Sequence, residues 1–324
     1  MNIASPSSQS WMDLAVEASD LVRGARQTEI PGVTETISQI GEITRHDIRI
    51  HTEKGSQLLQ RPIGSYITLQ TPPLGFYHPE TTADAIQSIA EILPSLIAEK
   101  TTLEPDDCVL VVGLGNRHAA ADSLGPRFIE AFPVTRHYAV YAPDTLSDSL
   151  LRPCCSLAPG VLGTTGLETL DIVQGAVRAA HPALVITVDA LSAQRVERIG
   201  CTIQLSNTGI QPGSGFSVHR KPFNQDTLGI PVISIGCPTI VRAEVIAQQA
   251  IETYTGRLQQ TPDSTALQNT LEEIFSFYNT QFAVTPKEIE DITAHAAHII
   301  ACGVAKTLFP DTPEDELAFY IPSR

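Results

Sequence analysis

Two acidic residues sit where apolar runs give out. In residues 183–194, ALVITVDALSAQ, the run climbs to Asp189. In residues 109–126, VLVVGLGNRHAAADSLGP, an apolar run passes into a glycine-rich turn and then reaches Asp122. Sites of open α/β folds gather beyond the carboxyl ends of the strands, where strand order switches. Two strands therefore deliver one carboxylate each to the same sheet edge. Carboxylates within a few ångströms of each other cannot both ionise cheaply, so one keeps a proton and the pair offers an acid and a base together. Such a pair can activate water and protonate a leaving amine. Spacing alone favours a second arrangement, with Asp189 capping a helix in DALSAQRVE and Asp122 capping one in DSLGPRFIE, since aspartate is a preferred N-cap.

Other stretches with chemical potential are weaker. GLGNRHAAADSLG begins like a dinucleotide-binding turn, but position 118 is histidine where the third glycine of G-x-G-x-x-G belongs. GTTG and GSG lack the strand, lysine and helix of a phosphate-binding loop. No G-x-S-x-G elbow is present, and Cys154-Cys155 has no identifiable histidine partner. His118 lies close to Asp122 in sequence. His219, in FSVHRKPF, can join the two aspartates as a nickel or zinc ligand, although a loop histidine is more often solvated. His295 and His298, three apart on a helical stretch, have no third ligand nearby and are expected on a solvated face. The loops APGVLGTTGLET and NTGIQPGSG read either as surface turns or as walls of an extended cleft that hydrogen-bonds a peptide backbone.

The bulk numbers bound the class. The chain has 324 residues, 42% hydrophobic and 18% charged, as in an ordinary globular protein with a sizeable core. Its net charge of −15, from 36 acids against 21 bases, argues against direct nucleic-acid binding, which needs a basic surface. Six cysteines without a C-x-x-C pair read as buried free thiols in a reducing cytoplasm. The N-terminus, MNIASPSSQSWMD, has neither the basic start nor the apolar core of a secretory signal. No apolar run approaches the roughly 20 residues of a membrane helix.

The elements that must position the acids follow an α/β pattern. CVLVVGL, HYAVY, LVITVDA and IPVISIGCP read as strands. TTADAIQSIAEILPSLIAE, GLETLDIVQGAVRAA and RAEVIAQQAIETY read as helices. Alternation of the two predicts an α/β, three-layer α/β/α sandwich around a mostly parallel central sheet. A small N-terminal β extension comes from the alternating DIRIHT and GSYITLQT, with EKGSQ as the turn between them. Residues 1–13 are rich in Ser, Gln and Asn and read as a flexible leader. LAVEASDLVRGA, from Leu14, is helical. Residues 257–270 read as a polar linker. The last helix is predicted to start at Thr285 as N-cap, with Pro286 first and Glu288 closing a capping box. One domain over 14–324 is expected, with its core at about 80–310 and the extension at about 14–75.

At this point the residues become recognisable. VVGLGNRHAAADSLGP, SLAPGVLGTTGLETLDIV, VITVDALSAQRVERIGCTIQLSNTGIQPGSG, DTLGIPVISIGCPTIV and VTPKEIEDI, in this order, resemble the germination proteases of spore-forming bacteria. The resemblance runs from about Leu14 to about Leu308. It implies an aspartic-type endopeptidase, with a fold like hydrogenase maturation proteases, that starts digestion of small acid-soluble spore proteins. It implies catalytic roles for Asp122, in DSLGP, and Asp189, in DALSA. It also implies a zymogen that removes its own leader between Asp13 and Leu14, in WMDLAVEA, so that residues 1–13 are a propeptide. A homotetramer in the forespore or spore core is implied, and no cofactor or membrane partner is expected. Three positions depart from the family pattern: Ala120-Ala121 replaces a threonine-proline pair, and Arg242 replaces an acid. The alternatives are a metal-dependent maturation-type peptidase using Asp122, Asp189 and His219, or a non-catalytic module that binds spore proteins.

Overall fold

The computed structural model describes residues 12–26, 29–142, 151–212, 221–275 and 282–313. The first helix, α1 (Ala15–Arg26), follows Leu14 directly. Strands β1 (Val33–Ile40) and β2 (Ile43–Ile50) make a hairpin in which Ile40 pairs with Ile43, so only Gly41 and Glu42 turn the chain. The EKGSQ segment is not a turn. It forms helix α2 (Glu53–Leu59), because the Thr52 hydroxyl caps it by accepting the Gly55 N–H at 3.3 Å and Leu59 is buried. Strand β3 (Gly64–Gln70) then pairs antiparallel with β2.

Helix α3 (Pro79–Ala98) buries Ala85, Ile89, Ile92, Leu93 and Leu96, the face its spacing predicts. Strand β4 (Val109–Gly113) is buried along its whole length. A single 3-10 turn (Ala120–Asp122) and α4 (Leu124–Ala131) follow. HYAVY, expected as a strand, lies in helix α5 (Arg136–Tyr141); Val140 and Tyr141 are exposed there, so its alternation buries no face. Next come β5 (Cys154–Leu157), α6 (Leu162–Thr165), α7 (Thr169–Ala180), β6 (Leu184–Ala193) and β7 (Thr202–Ser206). After α8 (Gln225–Leu228) and β8 (Val232–Arg242) comes α9 (Ala243–Arg257). The expected linker at 257–270 contains the start of α10 (Ser264–Phe275), which the Asp263 side chain caps by accepting the Ala266 N–H at 2.7 Å. The short β9 (Ala283–Val284) precedes α11 (Ile289–Leu308). That last helix starts later than predicted, with Glu288 as its N-cap. Thr285 is engaged elsewhere, donating its hydroxyl to the Thr239 carbonyl at 2.8 Å.

One nine-stranded sheet results, in the order β1-β2-β3-β7-β8-β6-β4-β5, with β9 on β8. Strands β8, β6, β4 and β5 run parallel, and the N-terminal meander joins them antiparallel through β7. Period-two alternation sorts the side chains into two layers of core. On one face, Ile186 and Val188 of β6 pack with residues of α3, α4 and α11. On the other, Val185 packs under α7, while Leu191 joins Leu14, Ala15 and Val16 at the start of α1. This is the expected three-layer α/β arrangement. No helix among the described residues is long and apolar enough to cross a membrane.

Candidate active site

Strand order reverses between β4 and β6. The chain leaves β4 for β5 on one side and returns to β6 on the other. Asp122 follows β4 and Asp189 lies in β6, so the two acids come from the strands that flank this switch point.

Asp189 does not end its strand. Strand β6 runs on to Ala193, with Asp189 level with Gly236 of β8. A residue inside a strand is not a helix N-cap, which removes that reading of Asp189. What ends at this level is β4: its last residue, Gly113, pairs with Val188. From Asp189 onward β6 has lost that neighbour. The Asp189 side chain is buried, and its Oδ1 accepts the N–H of Ala190 at 2.9 Å.

Asp122 is folded back onto the loop that follows β4. Its Oδ2 accepts the Asn116 N–H at 2.8 Å, and its carbonyl accepts the same N–H at 2.9 Å. Helix α4 has Ser123 as its N-cap residue, so Asp122 does not hold that position either. The loop needs glycine at 115. Its φ is +113°, and a Cβ there would lie 2.2 Å from the Asp122 carbonyl oxygen and 3.0 Å from Oδ1. One residue earlier, the Leu114 N–H donates to the Val188 carbonyl at 2.8 Å. The support of Asp122 is thus tied to the residue that precedes Asp189. Ala120 and Ala121, the departure from the family pattern, form the 3-10 turn with Asp122.

The expected cleavage point lies against the same strand. Asp13 Oδ2 accepts the Ser192 N–H at 2.8 Å. Ser192 is three residues beyond Asp189, or about 10 Å along a strand. The Asp13 carbonyl accepts Nε2 of Gln204 at 2.9 Å, and the Ala15 N–H donates to Oε1 of Gln204 at 2.6 Å. Leu14 between them is fully buried. Arg61 donates to the Met12 carbonyl. Glu17, in the first turn of α1, accepts the Gln194 N–H and has Arg198 Nε 3.7 Å away. Burial pushes its carboxyl up to about 7, against the pull of the Gln194 N–H and the Arg198 charge.

The remaining sequence candidates are scattered. His219 lies outside the described residues. His118 is exposed. His295 is not on a solvated face: it is buried, with Nε2 3.0 Å from the Thr82 hydroxyl and Nδ1 3.0 Å from the Leu74 carbonyl. Helix α11 is covered by α3 on that side, which a helical spacing of two histidines could not reveal. His298 is half-buried, 3.6 Å from the Cys302 sulfur. Cys154 and Cys237 are fully buried, as expected, and burial pushes both thiols up. Cys108 and Cys155 are half-buried with sulfurs 4.0 Å apart. Among the described residues no three His, Cys, Asp or Glu side chains gather as a metal site would require. Sequence reasoning passed over Gln204, Ser192, Gln194 and Arg198. Only Gln204 left a signal, as a buried amide inside the apolar strand TIQLS.

A family model described as germination protease matches residues 12–263. Full-length relatives bear the same description. One from Caldanaerobacter subterraneus subsp. tengcongensis is 40% identical over 94% of this chain and 96% of its own. One from Clostridium perfringens is 35% identical over 92% and 95%, and one from Bacillus pumilus is 31% identical over 95% of each. Among solved structures, a [NiFe] hydrogenase maturation protease from Thermococcus kodakarensis is similar with a TM-score of 0.33 and 17% identity, over 66% of this chain and 98% of that one.

Proposed function

The chain belongs to the germination protease family, a family of spore-germination peptidases, and we propose that it cuts small acid-soluble spore proteins with Asp122 and Asp189 as an acid–base pair. One aspartate takes a proton from water as its oxygen attacks the scissile carbonyl. The other, protonated, hydrogen-bonds the carbonyl oxygen. The C–N bond then breaks and the leaving amine takes a proton from the pair, giving a carboxylic acid and an amine. The observation that carries this reading is the placement of Asp189 in β6 and of Asp122 in the loop after β4, the two strands that flank the switch point, with that loop bonded to the residue before Asp189.

The same pair acts on the chain itself, between Asp13 and Leu14, and residues 1–13 are the propeptide it removes. Support comes from the hold of Ser192 and Gln204 on Asp13, with Ser192 three residues along β6 from Asp189 and Gln204 two strands away from it in the same row. The mature form acts in the spore core as a homotetramer. The test is intact mass of the full-length chain held at mildly acidic pH, beside Asp122→Asn and Asp189→Asn. Loss of residues 1–13 from the wild type alone supports self-cleavage by the pair. Retention of the leader by all three, with no digestion of a small acid-soluble spore protein, would leave a binding module instead. Loss of activity with a chelator, restored by zinc or nickel, would favour a metal-assisted reaction.

A further inference from the structure

Gln204 brackets Leu14: it bonds the Asp13 carbonyl of the Asp13–Leu14 peptide and the Ala15 N–H of the next one. The Ala15 N–H can pair only with the amide oxygen, at 2.6 Å, which turns the NH₂ toward the Asp13 carbonyl, at 2.9 Å. The orientation of this side-chain amide is therefore set by its two partners. Gln204 is itself buried, on β7.

Its place in the sheet is specific. Gln204 pairs with Gly236 of β8, and Gly236 pairs with Asp189 of β6. Residues in register across a sheet project to the same face, so Gln204 and Asp189 flank a glycine in one row, with Cα atoms two strand spacings or about 10 Å apart. The neighbours of Gln204 along the strand, Ile203 and Leu205, point to the opposite face, into the main core. Glycine is needed in the middle. A Cβ at Gly236 would lie 2.6 Å from the Leu191 side chain, which packs with Leu14.

We propose that Gln204 is a catalytic residue of the self-cleavage, holding the Asp13 carbonyl oxygen by its Nε2–H as that oxygen becomes an oxyanion. This rests on the reading that Asp122 and Asp189 cut after Asp13. The water oxygen bonds to the Asp13 carbonyl carbon and gives its proton to the ionised aspartate. The oxygen of that carbonyl takes up negative charge against the Gln204 N–H. The bond to the Leu14 nitrogen then breaks, and that nitrogen leaves with a proton from the aspartate pair. The donor stands 2.9 Å from the carbonyl oxygen before attack; on this proposal its bond strengthens as that oxygen gains charge, and losing such a donor typically slows the reaction about 10²–10³-fold. By the same geometry, Oε1 orders the strand of substrate beyond the cut.

The test uses the full-length chain and times the loss of residues 1–13 by intact mass, across pH, in the wild type, Gln204→Met, Gln204→Glu and Asp189→Asn. Gln204→Met keeps the volume and removes the donor, so processing should slow by about 10²–10³-fold at every pH with little change in melting temperature. Gln204→Glu should be slow when ionised and recover toward wild type as pH falls, because a protonated carboxyl again offers an O–H to the Asp13 carbonyl and an oxygen to the Ala15 N–H. A role in packing alone would not produce that pH-dependent recovery. Processing of Gln204→Met within about threefold of wild type, with Asp189→Asn inert, would overturn the assignment and leave the aspartate pair standing. Slow processing of both Gln204 variants at every pH, with matching losses of melting temperature, would also overturn it. A wild type that keeps its leader, or an Asp189→Asn chain that sheds it, would overturn the underlying cleavage reading and this assignment with it.

Discussion

Both carboxylate oxygens of Glu17 receive one backbone donor, the N–H of Gln194, at 2.9 and 3.0 Å. The bond crosses from α1 to the residue just after β6. It fastens the segment that follows the proposed cut to the strand that carries Asp189. Arg198 stands 3.7 Å from Glu17 and also donates to Asp20 at 3.0 Å.

This buried acid should make stability depend on pH. Burial holds the Glu17 carboxyl at about 7 against an ordinary 4.5, with Arg198, Asp13 and Arg61 as the charges around it. Between those values the folded chain keeps a proton that the unfolded chain releases. Stability from this group is therefore full below about 4.5 and falls as pH rises to about 7, a loss of about 3 kcal/mol. Glu17→Gln removes the titration. Urea unfolding at steps across that window should give a slope for the wild type that the variant lacks; equal slopes would refute the assignment.

Gly115→Ala should damage the fold and the site together. The position has φ +113°, and the added Cβ would meet the Asp122 carbonyl oxygen at 2.2 Å. The backbone must move, and the Asn116 N–H that binds Asp122 moves with it. A destabilisation of at least about 2 kcal/mol is expected in urea unfolding. At temperatures where the variant remains folded, its cleavage rate should still fall. An unchanged rate would mean that Asp122 is placed independently of this loop.

Leu14→Ala should cost about 2–5 kcal/mol, as for other leucines truncated in a packed core. Leu14 is fully exposed to no solvent and packs in the cluster of Ile48, Ile50, Tyr66 and Leu191. The measurement is thermal or urea unfolding of the Asp189→Asn background, where no processing changes the chain. A loss below about 0.5 kcal/mol, the size of an ordinary surface change, would show that the start of α1 is not anchored there.

The strands were legible where burial on both faces wrote a continuous apolar run, as in β4 and β8. The end of β6 was not. An acid looked like the end of a strand because a run of residue types does not show that β4 stops first and opens the edge beside Asp189. Helix α2 was hidden for a local reason: its glycine and serine read as a turn, while the Thr52 cap and buried Leu59 decide for a helix. His295 was misread because the face of α11 it occupies is covered by α3 and by the loop at Leu74, which spacing along one helix does not record. The two aspartates stood out through resemblance to a family. Gln204 showed only as an amide within an apolar strand; its place in one row with Gly236 and Asp189 depends on register across three strands.

If Asp122 and Asp189 work as a unit, their losses will not add. Each alone, as Asp→Asn, should reduce cleavage about 10⁴-fold or more, because the remaining aspartate cannot take the water proton while a protonated partner carboxyl hydrogen-bonds the carbonyl oxygen. Once one is gone, the second has little left to contribute. The double variant should therefore fall within about tenfold of the slower single variant. Rates that multiply instead would mean independent roles, with one aspartate touching the reaction and the other shaping the loop through Asn116. Asparagine preserves the acceptor oxygen that the Asn116 and Ala190 N–H groups use, so the comparison reads proton transfer rather than lost support. The measurement is the rate of leader release in all four chains at one pH, read against their melting temperatures.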